Sequence, residues 1–204
     1  AAEAHVRLGE LQSDIGHLEA ASEHFEIARP KAPDMPGVQL RLAEIAERQG
    51  DRRDQRRLLR AELGRAGRDP QLRVELAQSL LHARMVKQAR TVLDDLLSDA
   101  RLLDSQLLGE VHFFYGIAAQ LGRDHAGAVR WFRSAVRHDR EHVDAMAHLV
   151  LTHLRLGRLA RARVWSKRCL DLQPDNLALR MLGRRVTLAR WLAPLRRAFR
   201  CAGS

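Results

Sequence analysis

The amino-acid sequence predicts an all-α fold, an α-solenoid of stacked antiparallel helix pairs closed by a final helix. Three observations predict it. Ala and Leu dominate while aromatic residues make up 4% of the chain, which favours helices packed through small and branched side chains over sheets rich in Val, Tyr and Thr. Long alternating apolar and polar runs, the mark of half-buried strands, are hard to find. And one pattern of small and helix-ending residues recurs every 34 residues.

The recurrence is plainest between GHLEAASEHFEIARPKAP, residues 16–33, and GRLARARVWSKRCLDLQP, residues 157–174. Gly16, Ala21, Ala28 and Pro33 fall where Gly157, Ala162, Cys169 and Pro174 fall. A partner helix precedes each, HVRLGELQSDIG for the first and MAHLVLTHLRLG for the second. Another copy occupies 111–139, read with one extra residue after Gly122. VQLRLAEIAERQGDRRDQRRLLRAEL and LRVELAQSLLHARMVKQARTVLDDLL fill the interval as weaker copies. The expected blocks are 2–35, 36–69, 70–103, 109–142 and 143–176, with DSQLL inserted between the third and fourth.

Aligned columns have physical reasons. Leu8, Leu42, Leu76, Tyr115 and Leu149 share one, and Gly9, Ala43, Ala77, Gly116 and Val150 share the next. Two helices approach closely where side chains are small, so Gly or Ala marks the crossing. Ala21, Gln55, Ala89, Ala128 and Ala162 form a third column, and Phe25, Leu59, Leu93, Phe132 and Ser166 a fourth that fills the space toward the next block. Gly16, Gly50 and Gly157 permit the left-handed backbone that ends a first helix. Pro33 and Pro174 stop the second helices. Gln55 and Glu62 replace small apolar residues, so block 2 is expected to pack least well. In 177–204, a capping helix and basic tail, Leu177, Met181, Leu182, Val186 and Leu188 are expected to cover the last block, with Pro194 kinking or ending the helix.

This pattern resembles the tetratricopeptide repeat family over residues 2–176. The resemblance implies a right-handed superhelix whose first helices line a concave groove. Projected onto this chain, it implies a groove presenting Glu3, Glu10, Asp14, Glu44 and Glu47 in blocks 1 and 2. In blocks 3 to 5 it presents Val74, Gln78, Leu81, Phe113, Ile117, Gln120, Leu151 and Leu154. Such an apolar floor either accepts a partner's helix or extended peptide or is covered by tight coiling or the protein's own segments. Val6 and Glu10 stand where chaperone-tail-binding members carry Lys and Asn, which argues against that ligand.

The net charge of +10 is uneven. Residues 1–50 hold 5 basic and 9 acidic groups, the rest 30 and 16. No acidic residue follows Asp175, while Arg180, Arg184, Arg190, Arg196 and Arg197 accumulate into a basic surface. Beside Trp191 and Phe199 these arginines cap the array or, alternatively, rest on an anionic membrane. Trp131 and Trp165 share a column among arginines, which reads as a solvated face or as a charged, stacking surface for nucleic acid or phospholipid head groups.

Catalysis is not expected. His138 and His142 lack a third ligand, HDREH is not a metalloprotease motif, and no Gly-rich phosphate loop or nucleophile elbow occurs, so no cofactor or metal is expected. The acids of HDREH are expected to cap the next helix. Cys169 and Cys201 form no metal or disulfide framework, which fits a reducing, cytoplasmic setting. The chain starts without Met in helical pattern, as an excised or mature segment does, and its excess of Arg over Lys associates with bacterial GC-rich genomes. The expected role is a non-catalytic scaffold or adaptor for another protein. The alternatives are an auxiliary domain of a larger enzyme or secretion machine, and a basic tether to membrane or nucleic acid.

Overall fold

The computed structural model describes residues 2–201, with side chains described for 2–101 and 103–192. Among the described residues there are eleven α-helices, a 3-10 turn at Ala100–Leu102, and no strand. Two compact units divide the chain, residues 1–102 and 103–204.

The first unit contains α1 (Ala2–Asp14), α2 (Leu18–Lys31), α3 (Val38–Arg48), α4 (Arg52–Leu63), α5 (Pro70–His82) and α6 (Val86–Ser98). Each odd helix packs on the even helix after it, α3 then lies against α2, and α5 against α4. The second unit holds α7 (Ser105–Leu121), α8 (His125–His138), α9 (Val143–Arg155), α10 (Leu159–Leu172) and α11 (Leu177–Cys201). There α7 pairs with α8 and α9 with α10, α9 rests on α8, and α11 rests on α10 and α9. Within each unit this is the solenoid arrangement, in which every added hairpin covers the flank of the one before.

All the turns inside pairs are built alike. Each spans three residues with a left-handed centre, at Gly16, Gly50, Arg84, Arg123 and Gly157. The following amide, of His17, Asp51, Met85, Asp124 or Arg158, donates to the carbonyl five residues earlier at 2.8–2.9 Å. This satisfies orphan carbonyls at the helix end, as a Schellman motif does. Successive centres lie 34, 34, 39 and 34 residues apart. The extra residue expected after Gly122 is therefore absent: Gly122 keeps φ −79° and Arg123 takes the left-handed position. DSQLL is no separate connector either. Asp104 caps α7 by accepting from the Leu107 amide at 2.7 Å, and Ser105–Leu108 form the first turn of α7.

Packing follows the small-residue column. A methyl group added at Gly9 would meet the Phe25 ring at 2.9 Å, and one at Gly116 would overlap the Phe132 ring. Ala43, Ala77 and Val150 are equally buried. The α2 helix ends two residues before Pro33 and α10 two before Pro174, as expected.

The polar residues of the second hairpin have found partners. Gln55 donates to Glu47 Oε2 at 3.1 Å. Glu62, fully buried, accepts the Gly37 amide at 2.6 Å at the start of α3, where aligned peptide dipoles favour a carboxylate. Burial still raises its pKa, against the pull of the Gly37, Gln39 and Leu40 amides.

Three expectations need correction. The acids of HDREH do not cap α9; His142 does, its Nδ1 accepting the Ala145 amide at 3.4 Å, while Asp139 accepts the Glu141 amide within the preceding turn. The α11 helix covers the second unit through Leu179, Leu182 and Val186, whereas Leu177, Met181 and Leu188 face solvent. Positions 179, 182 and 186 share one helical line, and Gly183 on that side lets α11 approach Ser166 and Leu170. Of the two alternatives for Pro194, ending the helix is excluded, because α11 continues to Cys201.

Arg84→Gly and Arg123→Gly are each expected to stabilise the protein by about 1 kcal/mol, because a Cβ in the left-handed region costs about 1–2 kcal/mol. Gly16→Ala and Gly157→Ala are expected to lose a similar amount; the space around both is open, so only the backbone is perturbed. Urea midpoints for the four variants decide this, and four unchanged midpoints contradict it. Gly116→Ala is expected to cost more, about 1–3 kcal/mol, through overpacking against Phe132. A Gly116→Ala midpoint equal to wild type refutes the close crossing.

Candidate partner-binding surfaces

In the first unit the expected groove residues separate by environment. Glu10, Asp14 and Gln78 are exposed. Glu44 is half-buried and belongs to an ion cluster centred on Arg41, which reaches Glu44 at 3.1 Å, Glu75 at 2.8 Å and Glu10 at 3.9 Å. Burial raises the Glu44 pKa, with Arg41 acting the other way. Val74 and Leu81, expected on a groove floor, are core residues instead, 1% and 3% exposed. The α3 and α5 helices touch directly, which closes off the side chains between them.

In the second unit the expected residues Phe113, Ile117 and Gln120 lie on α7, and Leu151 and Leu154 on α9. Positions 34 apart on α7, α9 and α11 form three columns: Phe113, Ala147 and Met181; Ile117, Leu151 and Arg185; Gln120, Leu154 and Leu188. On α7 and α9 all six are half-buried, and on α11 all three are exposed. Phe113 packs against Phe132 (5.8 Å between ring centroids) and edge-on against His148 (5.5 Å). Gln120 ties α7 to α9, its Nε2 donating to Thr152 Oγ1 at 2.6 Å and its Oε1 accepting from His148 Nδ1 at 2.9 Å. It is a strut between the two helices.

A cleft of about 920 Å³ between α10 and α11 was not evident from the sequence. Its walls include Arg163, Lys167, Leu170, Arg184, Val186 and Trp191. Leu188, expected to cap the last block, and Trp191, expected beside the basic surface, line it as well. Of the expected basic surface, Arg180, Arg184 and Arg190 are exposed, and Arg180 pairs with Asp175 at 2.8 Å. Arg196 and Arg197, with Phe199, lie outside the residues whose side chains are described. Trp131 and Trp165 are half-buried; Trp131 stacks on Tyr115 at 4.5 Å, and Arg168 lies 5.7 Å from the Trp165 ring centre.

Cys169 is buried, and burial pushes its thiol up to about 11, leaving little thiolate at neutral pH. Among the described residues no group of three His, Cys, Asp or Glu side chains could hold a metal ion. No helix among them is long and apolar enough to cross a membrane. Burial lowers the pKa of His112, His142, His148 and His153. His112, stacked between Trp131 and His138, is lowered to about 4, with His138 adding to the effect.

Residues 143–176, covering α9 and α10, match the family model for the tetratricopeptide repeat. No curated protein matches the chain. Several solved structures share its fold. PilW, a widely conserved type IV pilus biogenesis factor, is 15% identical over 95% of this chain and 87% of its own, with a TM-score of 0.82. PilF of Pseudomonas aeruginosa is 16% identical over 91% and 82%, with a TM-score of 0.73. YrrB, described as a TPR protein with an unusual peptide-binding site, is 17% identical over 92% of both chains, with a TM-score of 0.64. At these identities the likeness establishes the fold.

A histidine whose pKa is lowered on folding lends stability above its unfolded value near 6.5 that is lost as pH falls toward the folded value. His142 also caps α9 only while its Nδ1 is unprotonated. Acidification from pH 7 toward 4 is therefore expected to weaken the second unit. Glu62, with its raised pKa, works in the opposite sense in the first, adding stability as pH falls through its raised value toward 4.5. Hydrogen exchange, corrected for intrinsic rates, should show protection falling in α7–α9 relative to α3–α4. Equal changes in both regions contradict this.

Proposed function

We propose that this chain, which has the tetratricopeptide-repeat fold, is a non-catalytic protein-interaction scaffold that holds a partner's helix or extended peptide on the first-helix face of its second unit. The observation carrying this reading is the set of columns through Phe113, Ile117, Leu151 and Leu154, half-exposed on successive helices. Apolar side chains in register on neighbouring first helices form a strip that a partner's periodic apolar residues can occupy. The corresponding Leu40, Val74 and Leu81 of the first unit are closed, so the strip is local to one unit. Its unit carries 18 basic and 8 acidic residues, and α11 borders the strip with Arg185. That charge favours a partner segment mixing apolar and acidic residues. The peptide-binding description of YrrB, a protein of the same fold, supports the same class of ligand.

A displayed peptide library selected against the wild-type chain is expected to enrich sequences with apolar residues three or four apart and interspersed acids. Leu151→Glu and Ile117→Glu are expected to weaken those peptides by about tenfold or more, the range for central interface residues. Phe113→Ala is expected to do likewise once circular dichroism shows that it remains folded. Binding should persist at high salt, since contacts to phosphate would weaken steeply. Enriched peptides that bind all three variants as tightly as wild type defeat the reading.

A further inference from the structure

The α1 helix presents an outward face built like an interior one. Ala4, Leu8, Leu11 and Ile15 are spaced four, three and four residues apart, so they form one line along the helix and into its end. All are exposed, Leu8 at 45% and Leu11 at 61%. Thirty-four residues on, Val38, Leu42 and Ile45 occupy the equivalent places on α3, which packs against α2, and none is more than 4% exposed. The same line is thus an oily contact surface where a neighbour covers it, and it stands uncovered on α1. Glu3, Arg7, Glu10 and Asp14 run beside it, one residue out of phase, and give that edge a net negative charge.

The cleft between α10 and α11 has the opposite character. Leu170 and Trp191 supply its apolar surface, with Trp191 77% exposed, and Arg163, Lys167 and Arg184 supply its cationic walls beside a single acid, Asp171. On earlier first helices the small residue at the crossing receives the paired helix, as Gly9 receives Phe25 and Gly116 receives Phe132. On α11 the residue 34 positions after Val150 is Arg184, and it is exposed. The flank of α11 that would receive a helix is therefore open, oily and positive.

We propose that this cleft docks α1 of a second copy of the chain, joining copies head to tail. The line Leu8–Leu11–Ile15 enters against Leu170 and Trp191, and the acidic edge of α1 faces Arg163, Lys167 and Arg184. Charge complementarity selects the second copy: residues 1–50 carry 5 basic and 9 acidic groups, against 18 and 8 in the unit that holds the cleft. The two surfaces differ, so the contact is heterologous and propagates into a ring or an open series. This interface is separate from the first-helix face, and Leu151→Glu leaves it intact.

Sedimentation of the full chain over a wide concentration range tests the proposal. Wild type is expected to show dimers and larger species that grow with concentration. Leu11→Glu alone, and Arg184→Glu/Trp191→Ala alone, are each expected to weaken association by about tenfold or more, leaving monomers; these residues are exposed, and circular dichroism checks that the fold is kept. Mixed together, the two variants are expected to form a one-to-one pair and nothing larger, because one intact α1 then meets one intact cleft. Wild type that stays monomeric throughout overturns the proposal. So does a dimer lost with Leu11→Glu but kept with Arg184→Glu/Trp191→Ala, which would mean α1 pairing with α1. A mixture that remains monomeric while wild type associates overturns it equally.

Discussion

The close crossing of two helices at a small residue is the constraint on which the rest of the architecture depends. At Gly116 the first helix of a pair comes so near the second that the Phe132 ring takes the space a methyl group would need. Gly9 and Phe25 repeat the arrangement. A helix pair this tight has little interior of its own, and its apolar side chains point along the stack. Each hairpin therefore acquires stability by packing on the one before it in its unit, which is why Leu42, Leu76 and Leu149 are buried and Leu8, on the first helix of the first unit, is not. The turns serve the same end. A three-residue connection with one left-handed residue returns the chain at a fixed angle, and the backbone accepts that geometry even at Arg84 and Arg123, where glycine would suit it better.

Tolerance of polar residues in such a stack depends on nearby backbone ends. Glu62 takes a column held elsewhere by Ala28, Leu96, Ala135 and Cys169, yet its carboxylate lies against the open amides that start α3. A buried charge in that place is offset by helix-end dipoles. Arg41 acts similarly between helices, collecting carboxylates from α1, α3 and α5. In the second unit histidine does this work: His142 caps α9 and His148 bonds Gln120 across two helices. Polar contacts thus stitch the hairpins of both units, through carboxylates and arginine in one and neutral imidazoles in the other.

The proposed binding faces are those the stack leaves partly open. First helices in the second unit keep Phe113, Ile117, Leu151 and Leu154 half-exposed. The cleft beside α11 exists because an arginine stands where the crossing residue of a pair would be. Cys169, the one described cysteine, is buried as a thiol.

By itself the sequence determined the helices, their pairing and the three glycine-centred turns, but not the left-handed Arg84 and Arg123. Those features are local or near-local, set by 3.6-residue periodicity, glycine at helix ends and small residues at crossings, all within one 34-residue span. Only the tertiary structure decided which apolar residues remain exposed. Val74 and Phe113 read alike in aligned positions, but one is sealed between α3 and α5 while the other stays half-open on α7. The sequence of α11 could not show that Leu179, rather than Leu177, turns inward, because a helix with apolar residues on several sides is oriented by its neighbour. Exposure depends on what lies next to a helix, and the amino acids of the helix do not carry that information.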